Sequence, residues 1–218
     1  MAKINFKKGL TDIVLYIIIF IVVQIFLTYA GAGIWAAVKG EGYQATLLAM
    51  DTGNNAILKA LTTVFSNVFT LIIFLKAKWT PLTRNYLQSK PWLSLLWVAL
   101  FTLGTIIPLE FVYEQIGIEM DENTERVFAS LMKEPWGYVA IGILAPLAEE
   151  IVFRGAILRT LLDMVSKKNH WVAIFISAAV FGLIHGNKAQ FINALLMGLL
   201  LGWMYYRTKS LVPGILLH

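Results

Sequence analysis

The chain contains no cysteine, which excludes disulfides, thiolate nucleophiles and cysteine metal sites together. Charge is sparse: 14% of its 218 residues are charged, against 58% hydrophobic, too few for a soluble domain. Basic runs interleaved with aromatics are missing outside the membrane flanks, so the net charge of +5 does not suggest nucleic acid as a partner. Several hydrolase signatures are missing too. There is no His-Glu-x-x-His pair for a zincin and no Gly-x-Ser-x-Gly elbow. Ser177 is the one serine at mid-depth near a histidine, and it lies too far along the helix from His185 to form a nucleophile–base pair. Asp12, Asp51, Asp121 and Asp163 fall at span ends or in loops, which removes an aspartyl pair.

What is present is a series of apolar runs near the ~20 residues that cross a bilayer as helix. The expected fold is all-α, a polytopic transmembrane bundle of about seven spans forming a single membrane domain over residues 1–218. The spans are residues 13–37, 56–75, 92–113 (bent at Pro108), 136–165, 171–185 and 190–206, with a truncated seventh at 211–218. The small residues 30–32 resemble a signal-peptide cleavage site, but the apolar run is long and continues past them, so an uncleaved first helix is the preferred reading. Residues 39–55 read as a polar loop. Residues 114–135 are acidic, and Val127, Phe128, Leu131 and Met132 recur there at helical spacing. That stretch is either a short amphipathic helix on the membrane surface or an ordinary loop. Lys and Arg gather in the N-terminus and in the 76–90, 159–170 and 207–209 segments, which places the N-terminus in the cytoplasm.

The stretch 144–155, Leu-Ala-Pro-Leu-Ala-Glu-Glu-Ile-Val-Phe-Arg-Gly, puts two carboxylates and a guanidinium inside the fourth apolar segment. Such groups cost at least ~2.5–3.5 kcal/mol each at membrane depth, so they mark function by default. On an α-helix Glu150 and Arg154 are i,i+4 neighbours and can pair, while Glu149 points about 100° away. One carboxylate is then held by a cation and Glu149 is left for proton chemistry.

Of the three histidines, His170 sits in a basic interfacial turn and is expected to be solvated. His185 and His218 lie among apolar residues, and two such imidazoles with a diglutamate point to a site. Counted from the basic flanks at 1.5 Å per residue, Glu149 lies ~15 Å deep, His218 ~13–14 Å and His185 ~25 Å. Depth thus joins Glu149 to His218 and strains at His185. Asn187, Gln190 and Asn193 are expected to bond between helices or line the cavity, and Gly182, Gly198 and Gly202 to allow close packing.

In order, Glu149-Glu150-x-x-x-Arg154, Phe181-x-x-x-His185 and His218 resemble the three motifs of the CAAX protease and bacteriocin-processing family of intramembrane endopeptidases. Ala145-Pro146, His185-Gly-Asn187, Gln190-Phe191, Gly198, Gly202, Tyr206-Arg207-Thr208 and Pro213 are similar as well, so the likeness covers residues 135–218. It implies Glu149 as general base on a water that His185 helps orient, His218 as oxyanion donor, and Glu150 with Arg154 as a brace, with Phe181 and Asn187 in support. It leaves a metal open: Glu149, His185 and His218 could form a His₂Glu zinc site. The family's third motif is His-x-x-x-Asn, and the sequence stops at His218, so its asparagine is not present.

The expected function is hydrolysis of a peptide bond in a peptide or protein substrate, lipidated or not, surrounded by membrane lipids. CAAX-type processing, or bacteriocin and pheromone maturation with self-immunity, are the settings the resemblance implies. The alternative is a non-catalytic membrane immunity or scaffold protein that retains the motif residues. A transporter is disfavoured, because no inverted repeat or paired broken helices are evident.

Overall fold

The computed structural model describes residues 5–82, 85–115, 117 and 119–218. Lys3 and Arg84, two of the basic flanking residues, lie outside the described residues. Helices α1 (Phe6–Lys39), α2 (Tyr43–Asp51) and α3 (Ala56–Lys76) come first, then a short α4 (Asn85–Gln88) and α5 (Trp92–Gln115). After α6 (Glu122–Leu131) comes a helical run. In it α7 (Pro135–Gly137), a wide π turn (Tyr138–Leu144), α8 (Ala145–Glu149), a second wide turn (Glu150–Leu158) and α9 (Arg159–Met164) follow directly on one another. Last are α10 (His170–Leu183), α11 (Lys188–Thr208) and α12 (Val212–Leu217).

The fold is all-α, with no strand among the described residues. Among the described residues, three helices, α1, α3 and α11, are long and apolar enough to cross a membrane. Their outer faces expose Ile18, Val22 and Phe26 on α1, Phe65 and Phe69 on α3, and Leu196 and Trp203 on α11. Side chains of that kind find no favourable partner in water, and an integral membrane protein is the result. At 14 residues α10 is shorter than the ~20 that a span needs, and α12 has only 6. The polar 39–55 segment is not a plain loop, because it folds into α2, whose Met50 is fully buried.

The chain divides into two compact units. One comprises Val14–Ala77 and Met120–Glu149. In it Gln24 of α1 accepts from Ser66 Oγ at 2.6 Å and donates to Asn67 Oδ1 at 3.2 Å, a polar clasp between α1 and α3. Ala32, Met50 and Leu58 form a small core with Trp35 and Leu47 packed on it. The first wide turn, α7 and α8 all pack on α3.

Helix α6 belongs to the same unit and shows that the helical spacing in the acidic segment is real. The Asp121 carboxylate caps it, accepting from Thr124 N at 3.0 Å and Thr124 Oγ1 at 2.6 Å, and Asn123 ties it to the Asp51 carbonyl at 2.9 Å. The Thr124 bonds favour the charged form and hold the Asp121 carboxyl below its ordinary range. A depressed folded-state value means that the cap's contribution is complete above the ordinary aspartate range and fades as pH falls through that depressed value. Asp121→Ala is therefore expected to speed amide exchange in the first turn of α6 at neutral pH, and acidification of the parent chain to lower that turn's protection relative to the unstructured rate at the same pH. Equal exchange rates in variant and parent would disprove the cap.

The other unit comprises Met1–Ile13, Lys78–Glu119 and Glu150–His218. Helices α10 and α11 lie tightly together because of the glycines. A Cβ on Gly198 would meet Ala178 Cβ at 2.8 Å, and one on Gly202 would meet Ile174 Cγ2 at 3.0 Å. Leu201, Met204 and Leu217 form a core that joins α11 to α12, with Val98 of α5 packed against it. Between α5 and α11, Tyr113 donates to Asn193 Oδ1 at 2.7 Å. His170, expected to be solvated, is instead half-buried and stacked on Tyr206, with ring centroids 4.1 Å apart at 6°.

Candidate active site

Glu150 opens the second wide turn with no exposed surface, and Arg154 follows it at 1% exposure. The expected pair forms, with Arg154 Nη1 3.0 Å from Glu150 Oε1. The approach is close but off the hydrogen-bonding direction, so neither Glu150 oxygen accepts a hydrogen bond among the described residues. The helix is α-type up to Glu149 and π-type from Glu150, so the 100° step expected between the two glutamates does not apply at that junction.

Phe181 is the hub of the site. The Arg154 guanidinium lies over its ring at 4.5 Å, and Phe153 packs against it at 4.9 Å. His185 meets it edge-on at 4.9 Å and 90°, and His218 at 6.0 Å and 88°. Both imidazoles therefore gather on one aromatic ring, and the depth argument that set His185 apart fails. Its reason is plain: α10 is short and ends at Leu183, so His185 lies in the turn beyond it rather than deep in a full span.

His185 Nδ1 is 2.8 Å from the Phe181 carbonyl. A carbonyl can only accept, so Nδ1 carries a proton, and in the neutral ring Nε2 is an acceptor. His218 reaches the ion pair instead, with Nδ1 3.7 Å from Glu150 Oε1. Gly214, one turn earlier, makes room for that carboxylate, since a Cβ there would collide with Glu150 Oε2.

Glu149 ends α8 in the other unit and is half-buried; it directly precedes Glu150 in the chain. Asn187 proves to be a helix cap rather than a bridge between helices, its Oδ1 accepting from Gln190 N at 2.8 Å at the start of α11. Asn followed three residues later by Gln is a capping pattern. Among the described residues, no group of three or more His, Asp or Glu side chains is placed to hold a metal ion. The carboxylate beside His218 already faces a guanidinium.

Sequence reasoning missed three groups that surround the second wide turn. Thr80 Oγ1 donates to the Ile151 carbonyl at 2.7 Å, Ser177 Oγ to the Phe153 carbonyl at 3.2 Å, and Arg159 Nε to the Gly155 carbonyl at 3.0 Å. Thr80 lies in a loop with no motif around it, so no local pattern marks it.

Comparison with known proteins finds related membrane proteins. Residues 131–218 match the family described as type II CAAX prenyl endopeptidase Rce1-like. The Bacillus subtilis (strain 168) protein named "Putative membrane peptidase YdiL" is 30% identical over 141 residues, 62% of this chain and 56% of that protein. Membrane-embedded CAAX protease MroQ of Staphylococcus aureus (strain USA300) is 30% identical over 177 residues, 75% of this chain and 70% of the relative. UPF0177 protein YaiF of Lactococcus lactis subsp. lactis (strain IL1403) is 26% identical over 162 residues, 69% and 71% of the two chains. No solved structure matches significantly.

Proposed function

The chain belongs to the Rce1-like type II CAAX prenyl endopeptidase family of membrane proteases, and from that premise we propose that it hydrolyses a peptide bond within the membrane by a water that Glu149 activates. The observation that carries the reading is the buried Glu150–Arg154 pair with His185 and His218 both set against Phe181. Two ordered imidazoles and a neutralised carboxylate at membrane depth are costly to maintain, and a hydrolytic site accounts for the cost.

In this reading Glu149 takes a proton from water as the water oxygen attacks the scissile carbonyl carbon. His185 Nε2 accepts the water's other hydrogen and aims its lone pair. The carbonyl oxygen becomes an oxyanion, which His218 meets as a donor in a low-dielectric site. Collapse of the tetrahedral intermediate breaks the C–N bond, and Glu149 returns its proton to the leaving amine. Glu150 and Arg154 bond to neither substrate nor water; they hold the wall against which His218 rests. Substrates are peptides or proteins, with a lipidated C-terminus or an unlipidated leader as the two classes, and cleavage falls nearer the cytoplasmic side that the basic flanks assign.

The test is hydrolysis in H₂¹⁸O by the purified protein in liposomes, offered farnesylated and unmodified peptides. One new carboxyl carrying ¹⁸O is the expected product. His185→Ala is expected to lower the rate about 10²-fold, as for other general-catalytic groups. Absence of cleavage of either class, or full activity in the His185 variant, would overturn the assignment.

A further inference from the structure

The second wide turn places the ion pair, and a wide turn in lipid needs an explanation. Each backbone carbonyl left without a full partner in hydrocarbon is costly, and a side chain that inserts into the helical ladder bends it locally. Here three successive odd-numbered carbonyls, those of Ile151, Phe153 and Gly155, accept from side chains outside the ladder's own backbone.

Thr80 has the most exacting place among the donors. It is 3% exposed, and its hydroxyl reaches across 71 positions of sequence to the Ile151 carbonyl. Its side chain also fills the notch at Gly155, where a Cβ would meet Thr80 Oγ1 at 2.8 Å and Thr80 Cβ at 3.0 Å. Ile151 follows Glu150, and Gly155 follows Arg154. One threonine thus touches the backbone next to both members of the buried pair. The loop that carries it is itself fastened, because Arg159 Nη2 donates to the Trp79 carbonyl at 2.8 Å and Lys78 turns the chain with φ of 57°.

We propose that Thr80 is a positioning residue for the site: its hydroxyl and its fit at Gly155 hold the wide turn in the register that sets the Glu150–Arg154 pair beneath Phe181 and His218. The effect on turnover rests on the hydrolytic reading above; the effect on the turn does not. Thr80 contacts no substrate. It acts through the helix backbone, as positioning groups that lie away from the reacting atoms do.

Thr80→Val keeps the branched shape and removes the donor, whereas Thr80→Ser keeps the donor. In the full chain in lipid nanodiscs, Thr80→Val is expected to speed amide exchange across residues 150–159 by about tenfold or more, and Thr80→Ser to stay near the parent rate. With a peptide that the parent cleaves, Thr80→Val should lower kcat at least about tenfold with KM within about twofold, and Thr80→Ser should restore it. Gly155→Ala, which pushes Thr80 out while sparing its hydroxyl, provides a second variant and should reproduce both changes. Unchanged exchange in Thr80→Val and Gly155→Ala would overturn the proposal, as would faster exchange with unaltered kcat. If the parent cleaves no peptide, the hydrolytic reading falls, and the exchange comparison still decides whether Thr80 holds the turn.

Discussion

Glu149→Gln is expected to reduce peptide cleavage by about 10²–10⁴-fold while the protein stays folded and membrane-inserted. The substitution keeps the size and hydrogen-bonding outline of the side chain and removes only its ability to accept a proton fully. Water is a poor nucleophile until a base takes its proton, so the loss should fall on kcat far more than on KM. Glu150→Gln gives the contrast. Glu150 already faces Arg154 at 3.0 Å, so its replacement should change stability first and rate second. Rates for both variants, with melting temperatures beside them, make the comparison. A Glu149→Gln protein that cleaves within about threefold of the parent would remove the general base from the reading, since such groups are worth far more than that.

The second large effect is on stability. Arg154→Met should destabilise the protein by about 3–5 kcal/mol, because it leaves the fully buried Glu150 carboxylate without its cation. The guanidinium also covers the Phe181 ring at 4.5 Å, so its removal loosens the surface on which both histidines rest. The double variant Glu150→Gln/Arg154→Met removes both charges and should recover most of that loss, because an apolar or neutral pair of similar volume can replace a buried ion pair at little cost. Thermal unfolding in detergent would separate the cases. A single variant as stable as the parent would show that the Glu150 charge is compensated by other means. A double variant no better than the single would place the cost in packing rather than in the lone charge.

Much of this was legible in the residues. Residues 13–37 and 56–75 could only be helices in lipid, since their length and apolarity leave the backbone no other way to satisfy its hydrogen bonds. The Glu150–Arg154 pairing followed from i,i+4 spacing, and the packing role of Gly198 and Gly202 from their lack of a side chain. The three motifs marked Phe181, His185 and His218 as partners before their rings were seen together. The helix inside the acidic segment was visible as a periodicity, and Asp121 now supplies its start.

Other features needed the tertiary structure. Straight-helix counting put His185 too deep, because where α10 ends depends on its packing with α11 rather than on its own apolar run. Nothing in residues 150–158 announces a wide turn. The donors that accompany it, Thr80 and Ser177, come from distant stretches of chain, and only folding brings a hydroxyl to a particular carbonyl. Composition and spacing thus determined that this chain lives in a membrane, that it is helical, and which ionisable groups fall inside its apolar helical run, because each of those depends on local energies. The exact seating of those groups was decided by contacts between segments far apart in sequence, whose energies no local pattern contains.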